Sequence, residues 1–397
     1  MLAVLPLFLL SFSWLAAALT YHGADISSLT VVENSGIHYK DNGETLAFET
    51  ILKNHGMNAA RVRIWTAGQY NLQYGLALGK RIKAAGMTLI VDLHFSDTWA
   101  DPGHQAIPSG WPTDLSGLNT EIYTYTMNVV QSFSNQGTPI DILQVGNEIN
   151  DGLLWPTGQV SKNGYHPLSE LLHSAINGAK AVGSPKILIH LANGWDWSGL
   201  DAWFSGVYVP GALSADQVDI IGVSFYPFYD AGATLAALKT SLTNAANSFG
   251  KPIVVAETDW PVSCSGTSLT EPSIAVSTSG QQTWVNDIKT VLAGLPSGRG
   301  QGIFYWEPGW IGNANLGSSC ASGYVKGTAE DEGMEVWGWN DIGSDQAIPA
   351  IPSNQFTTEA TLRTTASLSP SRRSGRKCAS WDVEGKARKH SSNLDLR

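Results

Sequence analysis

Apolar runs and helical stretches alternate along residues 20–355 of the chain. Eight runs rich in β-branched and aromatic residues are each followed by a loop containing Gly, Pro, Asn or Asp, a pattern typical of strands. Most of the runs are continuously apolar, as expected of parallel strands that are covered on both faces. The eight predicted strands are YHGADIS, NAARVRIW, MTLIVDLHF, IDILQVGNEI, KILIHLAN, VDIIGVSFY, KPIVVAETDW and GIFYWEPGW.

Six amphipathic stretches lie between these strands, and several of them end in Gly just before the next strand, as helices often do. The alternation indicates an α/β fold, and eight strand–helix units predict a single (β/α)8 TIM barrel over residues 19–355. A doubly wound open sheet is the alternative, but it would not require eight strands of this regularity. In such a barrel the reactive residues lie at the carboxyl ends of the strands and in the loops that follow.

The N-terminal stretch has the pattern of a secretory signal peptide. Residues 1–18 are uncharged and largely apolar, and they end in three consecutive alanines, although the usual basic start is missing. We expect cleavage before Leu19. A membrane anchor is the alternative, but the stretch is at the short limit for spanning a bilayer. We therefore expect a secreted, extracellular protein with no membrane partner.

The C-terminal segment differs in character from the rest. Residues 356–397 are rich in Ser and Thr, carry an excess of positive charge and show no sustained periodicity. This composition predicts a disordered tail. A basic interaction arm is the alternative, but only the charge favours it.

Composition excludes several classes of protein. A chain that is 43% apolar, 10% aromatic and only 15% charged is not disordered over most of its length. The net charge of −10 argues against nucleic acid as a partner, and the sequence contains no P-loop, GxGxxG or CxxC motif. We expect no cofactor and a monomer. Of the three cysteines, Cys264 and Cys320 flank one predicted strand, so we predict a disulfide between them, which leaves Cys378 over.

Two carboxylates lie where apolar strands end. Glu148 follows Gly-Asn at the end of the fourth strand, and Glu257 lies near the end of the seventh. Burying a charged carboxylate is costly without a partner or a purpose. Two carboxylates facing each other across a cleft supply the general acid and the nucleophile or base that glycosidic cleavage needs. The alternative is a structural ion pair with Arg61 or Arg63.

The sequence resembles a known family at several specific motifs. Asn-Glu ending the fourth strand and Glu ending the seventh resemble the retaining glycoside hydrolases of the 4/7 barrel superfamily. The resemblance is closest to the arabinogalactan endo-β-1,4-galactanases of glycoside hydrolase family 53, and it covers about residues 20–350. It is carried by HGADIS, RVRIW, LIVDLHFSDTWADPGHQ, LQVGNEIN, GVSFYPFY, VVAETDWP and YWEP.

The resemblance implies a role for each carboxylate. Glu148 would be the proton donor and Glu257 the nucleophile of a double displacement, with the two carboxyls about 5–5.5 Å apart. Tyr226 resembles the superfamily tyrosine that hydrogen-bonds the nucleophile. Asn147 is placed to hydrogen-bond the sugar 2-hydroxyl, and Arg63 to hold Glu257 ionised by its positive charge.

His94 raises the question of a metal site. Asp92, His94 and Ser96 lie on one face of a strand by their period of two. No second His follows at metal spacing, and neither HxH nor HExxH occurs. A metal-dependent hydrolase is therefore the less favoured interpretation, and we predict no metal. We expect a neutral His94 that hydrogen-bonds substrate or the catalytic carboxylates.

Aromatic residues in the predicted loops favour a carbohydrate substrate. Trp faces can stack on the CH-rich faces of sugar rings, and a groove lined by Trp would hold several residues of a polymer. Trp306, which closes the eighth strand, is the best candidate for such a platform. The further candidates for substrate binding are Trp99, Trp195, Asp259 and Glu307.

The sequence therefore predicts a secreted, retaining endo-β-1,4-galactanase that acts on the (arabino)galactan side chains of pectin. The sugar and the linkage come from the family resemblance alone. Another endo-β-1,4-glycanase of the superfamily, such as a mannanase or a cellulase, is one alternative. A non-catalytic polysaccharide-binding barrel, in which the carboxylates merely form ion pairs, is another.

Overall fold

Eight short runs of apolar and β-branched residues form a closed parallel barrel in the computed structural model, which describes residues 18–41, 43–261 and 268–309. Each strand pairs with the strands before and after it in the chain, and the first pairs with the last. The predicted TIM barrel is confirmed, and every strand overlaps the run that predicts it. The strands are β1 (Tyr21–Asp25), β2 (Ala59–Ile64), β3 (Thr88–Leu93), β4 (Ile142–Val145), β5 (Lys186–Leu191), β6 (Ile220–Ser224), β7 (Ile253–Thr258) and β8 (Gly300–Trp306).

Helices cover the outside of the barrel. The six predicted helical stretches are all present, and the structure adds three that were not predicted: α1, α5 and α7. The sequence at the start of α7, Gly-Trp-Asp-Trp-Ser-Gly, has the composition of a turn, which hides the helix that follows. The helices are α1 (Leu29–Asn34), α2 (Phe48–Asn54), α3 (Leu72–Ala84), α4 (Leu115–Asn135), α5 (Val160–Asn163), α6 (Tyr165–Val182), α7 (Trp197–Val207), α8 (Leu235–Phe249) and α9 (Thr278–Ala293).

A short hairpin and two single 3-10 turns complete the described secondary structure. The hairpin strands, Lys40–Asp41 and Glu44–Thr45, lie between α1 and α2. The 3-10 turns are Ala215–Gln217 and Pro296–Gly298. In the described ranges, every helix is too short or too polar to span a bilayer.

The strands separate two apolar layers. The larger layer lies between strands and helices and draws residues from both. The smaller layer fills the inside of the barrel with one or two side chains from each strand: Tyr21, Ala59, Ile90, Ile142, Leu188, Ile220, Val254, Ala256 and Phe304. Because side chains along a strand alternate between its faces, the next inward positions toward the carboxyl ends lie directly above this layer. On β2, β3, β4 and β5 those positions are polar. The polar layer that forms the floor of the barrel mouth consists of Arg61, Asp92, Gln144 and His190 at these positions together with Asp25, Ser224 and Glu257.

The predicted disulfide between Cys264 and Cys320, the predicted tail and all but the last residue of the predicted signal peptide lie outside the described residues. The domain boundaries at residues 19, 355 and 356 remain predictions.

Helices α4 and α6, which precede and follow β4 in the chain, pack closely against each other. A Cβ added to Gly178 on α6 would lie 2.3 Å from the backbone oxygen of Tyr123 on α4. The absence of a side chain at Gly178 therefore sets the spacing of the two helices that flank β4, the strand that leads to Glu148.

We expect Gly178→Ala to lower the free energy of unfolding by about 1–3 kcal/mol, because the added methyl group meets backbone and forces the helices apart. The loss is expected even though alanine has the higher helix propensity, which alone would raise the free energy of unfolding of the variant by about 1 kcal/mol. Denaturant unfolding measures the change. Asn177→Ala, at the exposed neighbouring position of α6, should stay within about 0.5 kcal/mol of wild type. Equal stability of Gly178→Ala and wild type would contradict the close packing.

Candidate active site

A buried arginine lies at the centre of the polar layer. Arg61 on β2 is 2% exposed, and each nitrogen of its guanidinium has a partner on another strand or strand end. It donates to Asp25 Oδ2 at 2.6 Å, Asp92 Oδ2 at 2.9 Å, Gln144 Oε1 at 2.9 Å and Asn147 Oδ1 at 2.9 Å, and forms an ion pair with Glu257 Oε1 at 2.9 Å.

The charges around Arg61 keep it ionised. Burial alone would lower the pKa of its guanidinium, but Asp92, Glu257 and Asp25 raise that pKa above its ordinary value. Removing one member of such a buried ion-pair network leaves an uncompensated charge, which typically costs about 3–5 kcal/mol. The floor of the barrel mouth therefore has a fixed positive centre.

Glu257 lies near the end of β7 and is held from two sides. Its Oε1 faces Arg61, and its Oε2 accepts a hydrogen bond of 2.9 Å from the hydroxyl of Tyr226. The carboxylate is almost completely buried. Burial, together with the charges of Asp25 and Asp92, raises the pKa of Glu257 above its ordinary value, although the guanidinium of Arg61 and the Tyr226 hydroxyl act to lower it. Tyr226 lies where the resemblance implies, in contact with the predicted nucleophile.

Glu148 follows β4 in a strained backbone conformation. Its φ is +48°, directly after Gly146 at +89° and Asn147. A non-glycine residue in the left-handed region is uncommon, and such positions often cluster at functional sites. Phe95, Asn193 and Glu307, which follow β3, β5 and β8, also have positive φ.

The electrostatic environment of Glu148 differs from that of Glu257. Burial and the negative charge of Glu257 raise the pKa of Glu148 to about 8, against a hydrogen bond from Ser224 and the more distant Arg61. Because the cation lies next to Glu257, the pair holds its proton on Glu148. Ser224 on β6 pairs in register with Glu257 on β7, and its side chain hydrogen-bonds Glu148. Ser224 therefore lies between the two carboxylates.

Asn147 is anchored by the polar layer. Its Oδ1 accepts from Arg61 and Gln144 and lies 2.8 Å from His190 Nδ1, and its Nδ2 donates to the backbone oxygen of Ala100 at 2.8 Å. The contact with the sugar 2-hydroxyl remains a prediction. His190 Nε2 lies 2.9 Å from Ser224 Oγ, and burial and Arg61 hold the pKa of His190 well below its usual range.

The prediction that Arg63 ionises Glu257 is wrong. Arg63 donates to Glu307 Oε1 at 2.6 Å and to Ser28 Oγ at 2.9 Å, while Arg61 contacts Glu257. The two arginines are two residues apart on β2 and share its inward face, so the layer each one occupies decides its partner. Arg63 lies one layer higher, where Glu307 at the end of β8 meets it.

Glu307 is therefore a buried ion-pair partner, and the structure does not place it as a groove residue. It is 1% exposed and accepts hydrogen bonds from the backbone and side chain of Ser28 as well as from Arg63. A structural ion pair with an arginine of β2 was the alternative considered for Glu148 and Glu257. Glu307 forms such an ion pair, with Arg63.

His94 also differs from its prediction. Its Nδ1 accepts a hydrogen bond of 3.0 Å from the backbone of Ala100, so its Nε2 carries the proton that faces Asp92 Oδ2 at 2.9 Å. Both ring nitrogens are thus engaged within the protein, and neither contacts Glu148 or Glu257. His94 orients Asp92, which in turn holds Arg61.

The predicted tryptophans lie on two sides of the mouth. Trp99 lies 6.2 Å from Trp306 between ring centroids, and the guanidinium of Arg63 lies 4.0 Å from the centroid of Trp99. Both rings are partly exposed. Trp195, after β5, is also partly exposed and packs against the loop after β6. A platform at Trp306 remains a prediction.

Asp259 lies below the surface of the mouth. It is 3% exposed, and its side chain hydrogen-bonds Tyr305. A contact between Asp259 and substrate remains a prediction. Within ranges 18–41, 43–261 and 268–309, no group of three or more His, Cys, Asp and Glu residues is arranged to hold a metal ion.

Most of the polar layer was not predicted from the sequence. Asp25, Gln144, His190 and Ser224 had no predicted role in the site, and Arg61 was predicted only as a possible ion-pair partner. On four strands the signal that could have found them is a polar residue two positions after an inward apolar one: Ala59 leads to Arg61, Ile90 to Asp92, Ile142 to Gln144 and Leu188 to His190. Asp25 and Ser224 lie four positions after the inward Tyr21 and Ile220, because glycines occupy the positions between them.

Comparison with known proteins shows similarity over most of the chain. The model of glycosyl hydrolase family 53 matches residues 21–346. An arabinogalactan endo-β-1,4-galactanase A of Emericella nidulans is 49% identical over 330 residues, covering 80% of this chain and 92% of that protein. The enzyme of the same name from Aspergillus niger is 46% identical over 332 residues, covering 81% of this chain and 94% of that protein.

Two solved structures have the same fold. One of two fungal β-1,4-galactanases superposes with a TM-score of 0.74 at 43% identity, covering 80% of this chain and 96% of that one. The family 53 catalytic domain of Ignisphaera aggregans superposes with a TM-score of 0.67 at 25% identity, covering 81% and 92%.

The coupling of the two carboxylates can be measured without substrate. We expect Glu257→Gln to lower the pKa of Glu148 from about 8, because the variant removes the nearby negative charge; burial should still keep it above the ordinary value. The carboxyl 13C shift of Glu148, followed through a pH titration, gives this pKa. Glu170→Gln on α6 removes a carboxylate outside the site and should leave it unchanged. An unchanged pKa in Glu257→Gln would contradict the coupling.

Proposed function

The chain belongs to glycosyl hydrolase family 53, and from that premise we propose that it is an endo-β-1,4-galactanase that cleaves galactan with retention of configuration. The observation that carries this proposal is the unequal carboxylate pair: Glu257 beside a cation, and Glu148 with its pKa raised to about 8. A retaining mechanism requires one carboxyl that is ionised and one that is protonated at the start. The names of the relatives support the sugar and the linkage.

In the first step, Glu148 donates its proton to the glycosidic oxygen as the bond from that oxygen to the anomeric carbon breaks. Glu257 attacks the anomeric carbon and forms a glycosyl ester. Arg61 and Tyr226 hold the two oxygens of Glu257 at 2.9 Å each, which fixes the carboxylate before substrate arrives. Such preorganisation avoids a reorganisation cost during the reaction.

In the second step, the roles depend on the loss of a charge. Once Glu257 is an ester it carries no negative charge, so one of the causes that raise the pKa of Glu148 disappears and that pKa falls. Glu148, now deprotonated, accepts a proton from water as that water attacks the anomeric carbon and displaces Glu257. Both carboxyls return to their starting states, and the sugar keeps its β configuration.

We also propose that the protein is secreted and acts as a monomer on the galactan side chains of pectin. The apolar stretch of residues 1–18, with its three closing alanines, supports secretion. An extracellular enzyme meets polysaccharide outside the cell, where the expected disulfide can also form.

Activity tests the proposed function directly. We expect wild type to release reducing sugar from linear β-1,4-galactan, with oligosaccharides as early products and the β-anomer formed first by 1H NMR. Glu148→Gln should lose about 10²–10⁴-fold in turnover, the contribution typical of a general acid. Glu257→Ala should lose at least as much and still bind polymer, whereas Glu170→Ala, outside the site, should remain active.

The alternatives are outcomes of the same experiment. Activity confined to glucomannan or cellulose derivatives would replace galactan with another β-1,4-glycan. Binding of polymer without hydrolysis would identify a non-catalytic barrel. Unchanged hydrolysis by Glu257→Ala would overturn the role of Glu257.

Secretion has its own measurement. We expect the protein recovered from the culture medium of an expressing host to begin at Leu19, because the small residues before it suit signal peptidase. Intact mass and N-terminal sequencing determine the processed end. A protein that stays with the cells and retains residues 1–18 would contradict this proposal.

A further inference from the structure

An exposed tyrosine lies in the loop that follows β6. Tyr229 is 65% exposed, and in the described part of the chain only Val276, at 40%, joins it as an exposed large apolar residue. Its ring lies 5.4 Å from that of Tyr226 and 4.8 Å from that of Phe228. Tyr226 is the residue that donates to Glu257. Tyr229 is therefore an open aromatic surface one ring away from the predicted nucleophile.

The loop that carries Tyr229 is braced at both ends. The backbone of Thr270 donates to Pro227 O at 3.0 Å, and its hydroxyl donates to Ala233 O at 2.7 Å. Within the loop, the backbone nitrogen of Ala233 donates to Asp230 O at 3.1 Å. The exposed ring thus extends from a fixed turn, and little conformational entropy is lost when a ligand packs on it.

Topology places Tyr229 across the mouth from the Trp99–Trp306 pair. In a closed barrel of eight strands, β6 lies opposite β2, and Arg63 on β2 packs on Trp99. Trp195 belongs to the Tyr229 side, because a Cβ on Gly232 in the Tyr229 loop would lie 2.9 Å from the Trp195 ring. The two carboxylates lie between two aromatic surfaces.

The Tyr229 loop lies on the side of the proton donor. Trp195, which packs against this loop, follows β5, and β5 pairs with β4, the strand that leads to Glu148. In the proposed mechanism Glu148 protonates the departing oxygen, so the sugar that leaves first lies on this side of the bond.

We infer that the ring of Tyr229 binds the leaving-group sugar, the galactose unit on the reducing-end side of the scissile bond. This inference rests on the proposed function and extends it to the part of the polymer that is released first. The exposed ring face stacks on the CH-rich face of that sugar, while Trp195 extends the same surface. Tyr229 takes no part in the transfer itself; it determines how well a second sugar is held as leaving group.

The test compares two leaving groups. Galactan or galactopentaose presents a sugar to Tyr229, whereas β-galactotriosyl fluoride has a leaving group too small to reach it. We expect Tyr229→Ala and Tyr229→Leu to lower kcat/KM on galactopentaose about tenfold, which corresponds to about 1.4 kcal/mol, and to change it less than about twofold on the fluoride. Tyr229→Phe, which keeps the ring, should stay close to wild type on both substrates.

Three outcomes would overturn the inference. These are full activity of Tyr229→Ala on galactopentaose, equal losses on both substrates, or a Tyr229→Phe variant as weak as Tyr229→Ala. Thermal unfolding of each variant separates a binding loss from a folding defect. A wild-type protein that cleaves a different β-1,4-glycan would count against the proposed sugar alone, and the comparison would then use that glycan and its glycosyl fluoride.

Discussion

The structure of the mouth depends on one buried cation. From β2, Arg61 contacts residues near the ends of β1, β3, β4 and β7. A single guanidinium therefore connects five of the eight strands by hydrogen bonds and ion pairs. Without its charge, Asp25, Asp92 and Glu257 would share a poorly solvated space with no counterion, a costly arrangement. The apolar layer below it keeps water away from the network.

The same cation creates the difference between the two glutamates. Glu257 lies against Arg61, and Glu148 lies farther from it but close enough to Glu257 to feel its charge. Two carboxyls of identical chemistry thereby acquire different protonation states from their positions alone. Ser224, the last residue of β6, and Tyr226, two residues beyond it, complete the division, because Ser224 contacts Glu148 and Tyr226 contacts Glu257.

The strands and the carboxylate pair could be predicted because their signals are local. A continuous apolar run that ends in Glu predicts both a buried strand and a polar residue at its mouth. The partners of Arg61 and Arg63 could not be predicted, because both arginines lie on one face of one strand and only the register between strands decides which carboxylate each one meets. The role of Glu307 could not be predicted for the same reason. Like Glu257 it lies at the end of an apolar strand, but its carboxylate is bound by Arg63 and Ser28. Helix α7 begins with residues typical of a turn, and its packing on the barrel overrides that preference.

Most non-glycine residues with left-handed backbone lie at one end of the barrel. Phe95, Glu148, Asn193 and Glu307 all have positive φ just beyond strands, on the face that carries the carboxylates, and each such residue costs about 1–3 kcal/mol. In the described ranges two further non-glycine residues have positive φ: Leu154, in the loop after β4, and Ser297, in the 3-10 turn before β8. The amino-terminal end of the strands therefore carries one such residue, and the carboxyl end carries four directly beyond its strands. Engineering for heat resistance has its safest ground at the amino-terminal end, since relieving strain at the carboxyl end would move the groups on which turnover depends.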